Sequence, residues 1–290
     1  MTPIRRSLTV VDHARSLHDN RYVYAVLSRR AQGVSIGVNL NPDKRCNFDC
    51  LYCQVDRRSP GGDRSVDTDL LAVELRRVLE LFQAGAAWQI DPFASVPADR
   101  RRLNDIAFSG DGEPTEFKNF HACVQIAADL KAELNLAEVK IVVISNTSFF
   151  HRADVQQAFA LMDKNNGEIW AKLDAGTPEY FARIDNTRFP FQKVLDNILL
   201  TARLRPIVIQ ACFMRYQGSG PPPAEIDAWI GRINALKAAG AQFKGVQVYT
   251  VARPPMDAGV HALADAEVDA IAARVRRECG LEAWSFYGTI

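Results

Sequence analysis

Three of the six cysteines in this chain fall within eight residues, in the run RCNFDCLYC at 45–53. Cys46, Cys50 and Cys53 are spaced C-x3-C-x2-C. Fully extended, that span would reach roughly 25 Å, so the loop must coil for the thiols to meet. The turn-formers Asn41, Pro42, Asp43 and Asn47 permit it. Three converging thiolates make a soft site, suited to zinc or to an iron–sulfur cluster. A structural zinc site asks for four ligands, with a second Cys or His pair downstream. Here the nearest downstream histidines, His121 and His151, stand alone. Three cysteines without a fourth fit a four-iron cluster with one iron left open to an outside ligand. Phe48 and Tyr52, interleaved with the cysteines, would wall it from water. Cys123, Cys212 and Cys279 read as small buried residues.

Other polar groups stand where strand-like runs end. FSGDGEPT (108–115) places Gly110, Gly112 and Glu113 after one such run. The glycines permit close backbone approach, and Glu113 offers a carboxylate to a cationic amine. A plain Gly-Pro turn with a solvated glutamate is the alternative. ISNTSF supplies Ser145, Asn146 and Thr147, and WAKLDAGTPE supplies Lys172 and Asp174. Two apart on a strand, Lys172 and Asp174 share a face, either as a structural ion pair or poised for chemistry. Gln210, Arg215, Tyr249 and Arg253 flank the last two runs.

The elements that must bring these groups together repeat a single order. VSIGVNL, DIAFSG, VKIVVIS, IWAKLDA, PIVIQACFM and GVQVYTV are nearly continuous hydrophobic runs, as expected of parallel strands covered by helices. An amphipathic segment follows each, the first being DTDLLAVELRRVLELFQA. Six β-then-α units predict a partial (β/α)6 TIM-like barrel, parallel strands with outer helices, two units short of closure; a doubly wound sheet is the alternative on pattern alone. In both, chemistry belongs in the loops after the strands. We divide the chain into an N-terminal extension (1–33), the barrel (34–280) and a strand-like tail (281–290) that would cap the open edge. Residues 84–103 read as a surface excursion on the helix-to-strand side.

The 290 residues are 48% hydrophobic and 24% charged, an ordinary globular composition. A net charge of +1 weighs against a chain built mainly to grip nucleic acid. Neither a signal-peptide core nor a membrane-length apolar run is visible, so the expected compartment is cytoplasmic. Clustered thiols there point to metal or catalysis rather than disulfides.

C-x3-C-x-aromatic-C after a first strand, with a Gly-Glu-Pro loop after the second, resembles the radical S-adenosylmethionine (SAM) enzymes. SIGVNLNPDKRCNFDCLYC, FSGDGEPT, AKLDAGTPE and VQVYTVARPP are similar to stand-alone members related to the tRNA wyosine synthases. The resemblance covers about residues 29–255. It implies one [4Fe-4S] cluster on Cys46, Cys50 and Cys53, whose open iron chelates S-adenosylmethionine. It implies that Glu113 receives the methionyl ammonium, that Gly112 lets the backbone approach, and that Asn146, Ser145 or Asp174 serve the ribose hydroxyls. Reductive cleavage would release a 5′-deoxyadenosyl radical that takes hydrogen from an unidentified substrate, with electrons from an external flavodoxin- or ferredoxin-like donor. The reaction subclass (oxidoreductase, lyase or transferase) stays open. Lys172 is the candidate for an imine with a carbonyl substrate, and Asp174 its catalytic neighbour. Residues 1–45 contain no cysteine, whereas the wyosine synthases carry further N-terminal cysteines for a second cluster. This departure makes tRNA modification the runner-up. A non-catalytic electron carrier and a zinc-binding domain are further alternatives.

Overall fold

The structure is a computed structural model that describes residues 20–28, 30, 33–91 and 93–288. Its frame is one curled sheet in the order β1-β2-β3-β4-β5-β6-β8-β10. The strands are β1 (Val23–Ser28), β2 (Gly33–Val38), β3 (Leu103–Phe108), β4 (Lys140–Ser145), β5 (Gly167–Lys172), β6 (Ile207–Cys212), β8 (Phe243–Tyr249) and β10 (Ala283–Phe286). Every pairing from β2 to β10 is parallel, and β1 alone runs antiparallel, beside β2. The architecture is thus a partial, TIM-like barrel. All six expected parallel strands are present, with one more strand on each side.

Around the sheet lie α1 (Thr68–Gln83), α2 (Phe120–Glu133), α3 (Ala153–Asp163), α4 (Pro178–Ile184), α5 (Phe191–Leu204), α6 (Pro223–Ala238) and α7 (Asp265–Cys279). Local chemistry fixes several of their ends. The Asp67 side chain accepts from the Asp69 and Leu70 amides where α1 starts. Thr177 caps α4 with Pro178 at its first position. Gly280, at φ 61°, closes α7 in the left-handed region that an L side chain resists.

Strand alternation divides the core. Ile106, Phe108, Ile141, Val143, Ile169, Ala171, Ile209, Val246 and Val248 belong to the main core. Ala107, Val142, Trp170 and Val208, with Ile144, form a separate cluster on the inner side of the curl. Lys172 shares the parity of Trp170 and pairs in register with Gln210, which pairs with Gln247. Lys172 therefore points into the lumen, away from the helices.

Two expectations need correction. The segment set aside as an N-terminal extension contributes β1 to the main sheet, because Val23, Ala25 and Leu27 bury one face against it; residues 1–19, 29, 31 and 32 lie outside the described residues. The run PIVIQACFM is not one strand. The chain leaves the main sheet after Cys212, and β7 (Met214–Tyr216) pairs antiparallel with β9 (Val260–Ala262) in a small second sheet. That ribbon packs over the mouth with Leu51, Tyr52, Tyr180 and Tyr249. Within residues 84–103 lie the short 3-10 turns Ala86–Gln89, Phe93–Ser95 and Ala98–Arg100, and the Phe93 ring meets Phe82 of α1 edge to face. The strand-like tail supplies β10, parallel to β8 at the sheet edge.

Candidate active site at the carboxyl mouth

Because β2–β6 and β8 are parallel, the loops that follow them gather at one end of the curl. The cysteine loop follows β2, Glu113 follows β3, Ser145 and Asn146 end β4, Lys172 and Asp174 end β5, and Tyr249 ends β8.

The cysteine loop is tied down on both sides. The Cys53 amide donates to the Cys50 carbonyl at 2.9 Å, a turn that brings the second and third cysteines together. The Asp49 and Leu51 amides donate to the carbonyls of Asp185 and Ile184 at the end of α4. Phe48 is buried against Phe181 and Phe189. Arg57 fastens the far end: its guanidinium donates to Cys53 Sγ at 2.9 Å, the Asp111 carbonyl at 3.2 Å and the Lys44 carbonyl at 3.0 Å. Gly112 explains why the next loop can lie so close, since a Cβ there would sit 2.0 Å from the Arg45 carbonyl oxygen.

Glu113 is buried and held by neutral donors. Ser145 Oγ donates to Oε1 at 2.7 Å, the Thr115 amide to the same oxygen at 3.0 Å, and the Asn146 amide to Oε2 at 2.7 Å. Burial pushes its carboxyl pKa up, partly offset by these hydrogen bonds. The Asn146 side chain reaches across to the cysteine loop and donates to Asn47 Oδ1 at 2.9 Å. The structure thus brings Glu113, Ser145 and Asn146 together and joins them to the cysteines.

Lys172 and Asp174 sit on the other side of the mouth. The Lys172 ammonium lies 3.1 Å from Asp174 Oδ2 and donates to the Tyr249 hydroxyl at 2.7 Å. Tyr52 donates to Asp174 at 2.6 Å, as does the Cys212 amide, also at 2.6 Å. Burial acts to lower the Lys172 pKa, but the charges of Asp174 and Tyr249 outweigh it and hold the ammonium well above its ordinary value. Sequence reasoning missed Asp185. It is buried beside Cys50 Sγ at 3.4 Å and Tyr52 Oη at 3.5 Å. Burial first, then the Asp174 charge, push its carboxyl well above the usual range. Nothing local marks it, since it is one of several polar residues ending a short helix. Arg215, flagged beside β6, turns away to pair with Glu267 at 2.7 Å.

Cys46, Cys50 and Cys53 carry free thiols and are partly buried at the mouth. Burial pushes the Cys46 thiol up to about 12, so a metal that binds it must displace a proton. Among the described residues no three His, Cys, Asp or Glu side chains form a cage for one metal ion. A single zinc would draw its sulfurs to about 2.3 Å. A cluster is wider, and each thiolate would bind a different iron. Three soft thiols on one loop are a donor set that an iron–sulfur group fits.

A cavity of about 350 Å³ adjoins the cysteines and runs into the lumen, lined by Cys53, Tyr52, Lys172, Gln210, Tyr249 and Arg30 among others. A larger cavity of about 1090 Å³ opens at the amino ends of the strands, around Arg102, Lys140, Glu168 and Lys244. It lies opposite the cysteines. At the cysteine loop itself a cavity of about 640 Å³ touches Cys46 and Asn47, and the 350 Å³ cavity, which joins Cys53 to Lys172 and the lumen, is the candidate active site.

No family model matches the chain. It is similar to GTPase Obg of Brachyspira hyodysenteriae, at 22% identity over 92% of this chain and 35% of that protein. A UPF0026 protein of Helicobacter pylori is 27% identical over 60% of this chain and 48% of its own length. A UPF0026 protein of Methanocaldococcus jannaschii is 32% identical over 51% of this chain and 42% of its own length. The chain spans half or less of the length of these curated relatives. Among solved structures, a radical SAM methyltransferase from Sphaerobacter thermophilus matches with a TM-score of 0.60 and 14% identity, over 91% of this chain and 69% of that one. A structure of TYW1 with a lysine–pyruvate adduct bound matches with a TM-score of 0.50 and 15% identity, over 85% and 74%. At such identities the likeness is one of fold: this chain has the half-barrel fold of the radical SAM enzymes.

Proposed function

We propose that this chain is a radical SAM enzyme, with Cys46, Cys50 and Cys53 holding one [4Fe-4S] cluster beside S-adenosylmethionine. The observation that carries the reading is the C-x3-C-x2-C loop lying at the carboxyl mouth of a half-barrel of this fold. When bound, the cluster supplies the electron that cleaves S-adenosylmethionine to a 5′-deoxyadenosyl radical, which removes hydrogen from the substrate. The chain's own residues bind, orient and exclude water. Glu113, braced by Ser145, Thr115 and Asn146, keeps a carboxylate at the mouth for the methionyl ammonium. Asn146 stands beside Asn47 to serve the ribose, and Gly112 lets its loop close on the cysteine loop. Phe48 and Tyr52 shield the cysteines. Electrons come from a separate flavodoxin- or ferredoxin-like donor.

Lys172 acts as a fixed cation in this reading. An imine-forming lysine needs a free amine, whereas this ammonium is paired with Asp174 and its pKa is raised. The lysine–pyruvate adduct belongs to the TYW1 structure; borohydride treatment with pyruvate tests it here, and a trapped adduct at Lys172 would replace the binding role. The GTPase name of the Brachyspira relative does not carry over, because these 290 residues hold no G-x-x-x-x-G-K-S/T phosphate loop. The net charge of +1 keeps tRNA modification in second place. No helix among the described residues is long and apolar enough to cross a membrane.

The deciding experiment is anaerobic incubation with dithionite and S-adenosylmethionine, scoring 5′-deoxyadenosine with and without cell extract. Product from wild type, none from Cys50→Ala, and stimulation by extract are expected. An intact cluster whose spectrum ignores S-adenosylmethionine would leave an electron carrier instead. Zinc without iron and sulfide would leave a structural domain.

A further inference from the structure

The lumen holds a guanidinium, that of Arg30, which forms no ion pair among the described residues. Arg30 follows β1 and reaches inward, its guanidinium 5.4 Å from the Trp170 ring centroid and 5.0 Å from that of Tyr249. Its Nη1 is buried and has no hydrogen-bond partner. Native proteins seldom leave such a donor bare, because the desolvation of a charged group is then uncompensated. The aromatic faces hold the guanidinium but offer it no acceptor.

The wall around it is one-sided. Arg30, Lys172 and Arg253 line the 350 Å³ cavity, and no Asp or Glu is among its lining residues. Lys172 already has Asp174 and Tyr249. On the lower side of Arg30, Asp105 and Glu168 line the larger cavity. Glu168 is engaged there by Lys140 at 3.3 Å, Lys244 at 3.5 Å and the Trp170 indole at 2.9 Å, and Asp105 by Ser35. No ion pair joins Arg30 to any other described residue. A guanidinium held between aromatic faces at the wall of a chamber lined by no carboxylate suits a carboxylate or a phosphate monoester. The volume suits a molecule of metabolite size.

We propose that this cavity binds a small organic anion, with Arg30 receiving its carboxylate or phosphate. Arg30 and Cys53 both line the chamber, so the rest of the bound molecule extends from the guanidinium toward the cysteine loop. Taking that anion to be the substrate rests on the radical SAM reading; the binding itself does not.

The test is calorimetric titration of the anaerobically loaded 290-residue chain with inorganic phosphate and, separately, acetate. At least one should give saturable binding, and the one that does names the group. Arg30→Met should weaken that binding by about tenfold or more, the loss of a charge-assisted hydrogen bond. If Arg30→Met does not fold by circular dichroism, Arg30→Gln, which keeps length and polarity, should show the same loss. Saturation with neither anion, or unchanged affinity in a folded neutral variant, would overturn the proposal and leave Arg30 as a prop between Trp170 and Tyr249. Absence of 5′-deoxyadenosine with intact anion binding would sink only the radical chemistry. The reverse pattern would sink only the anion site.

Discussion

Glu113 and Asp174 are buried carboxylates on opposite sides of the same mouth, and the protein keeps them in different ways. Glu113 is surrounded by neutral donors, from Thr115, Ser145 and Asn146. Asp174 has a buried cation, Lys172, and two further donors in Tyr52 and the Cys212 amide. The first arrangement is a brace joining the ends of β3 and β4, and it leaves a carboxylate with uncompensated charge. Such a group suits a cationic ligand. The second is internally neutral, and the charge left over on that side is the cation Arg30. One half of the mouth thus carries a carboxylate held by neutral donors and the other a guanidinium held between aromatic faces. A third acid, Asp105 near the foot of the barrel, has neither device beyond the Ser35 hydroxyl.

The largest effect expected from breaking this contrast is at Lys172. Lys172→Met would strand Asp174 next to Asp185 and cost about 3–5 kcal/mol in urea unfolding. Adding Asp174→Asn should recover most of that loss, and a double variant no better than the single would show that the pair is not what the lysine supports. Asp105 comes next. Burial raises its carboxyl to about 6, while the unfolded chain releases that proton near pH 4. Between those values the folded state holds more protons, so this group makes stability fall as pH rises from roughly 4 to 6. Asp105→Asn should remove that fall and gain up to about 3 kcal/mol at pH 7, with little change at pH 4. Urea midpoints at the two pH values decide it. Glu113→Gln should cost about 2 kcal/mol, because it turns one acceptor into a donor facing the Asn146 amide or the Ser145 and Thr115 donors. A loss much smaller than that would mean the brace is slack. The smallest effect belongs to Tyr249→Phe, about 1.5 kcal/mol for one hydrogen bond to the Lys172 ammonium.

Much of this was open to a reader of the chain. The six parallel strands announce themselves because a strand covered on both faces must be apolar throughout, as in KIVVIS and IVIQAC. The cysteine spacing is read directly from one loop, and the clustering of Glu113, Asn146 and Lys172 after successive strands follows from one rule, that parallel strands send their following loops to one end. β1 was missed because VYAVLS precedes the first β-then-α unit and runs against it. β7 was missed because MRY continues an apolar run without punctuation. Asp185 and Arg30 carry no local signal at all. Each matters through groups far away in the chain: Cys50 and Tyr52 for one, Trp170 and Tyr249 for the other.

Residue order alone determined the succession of β-then-α units and the strand ends where chemistry can sit, since hydrophobic period is a local property; the curled half-barrel, rather than an open doubly wound sheet, was decided by the fold. Residue order also determined that three thiols fall on one loop, within eight residues. Only the folded chain decided how the charges are shared: that neutral donors hold Glu113, that Lys172 is already paired, and that Arg30 is left with a bare donor inside the lumen. Charge compensation depends on distance and burial between strands that are remote in sequence, and those quantities do not exist until the sheet has curled.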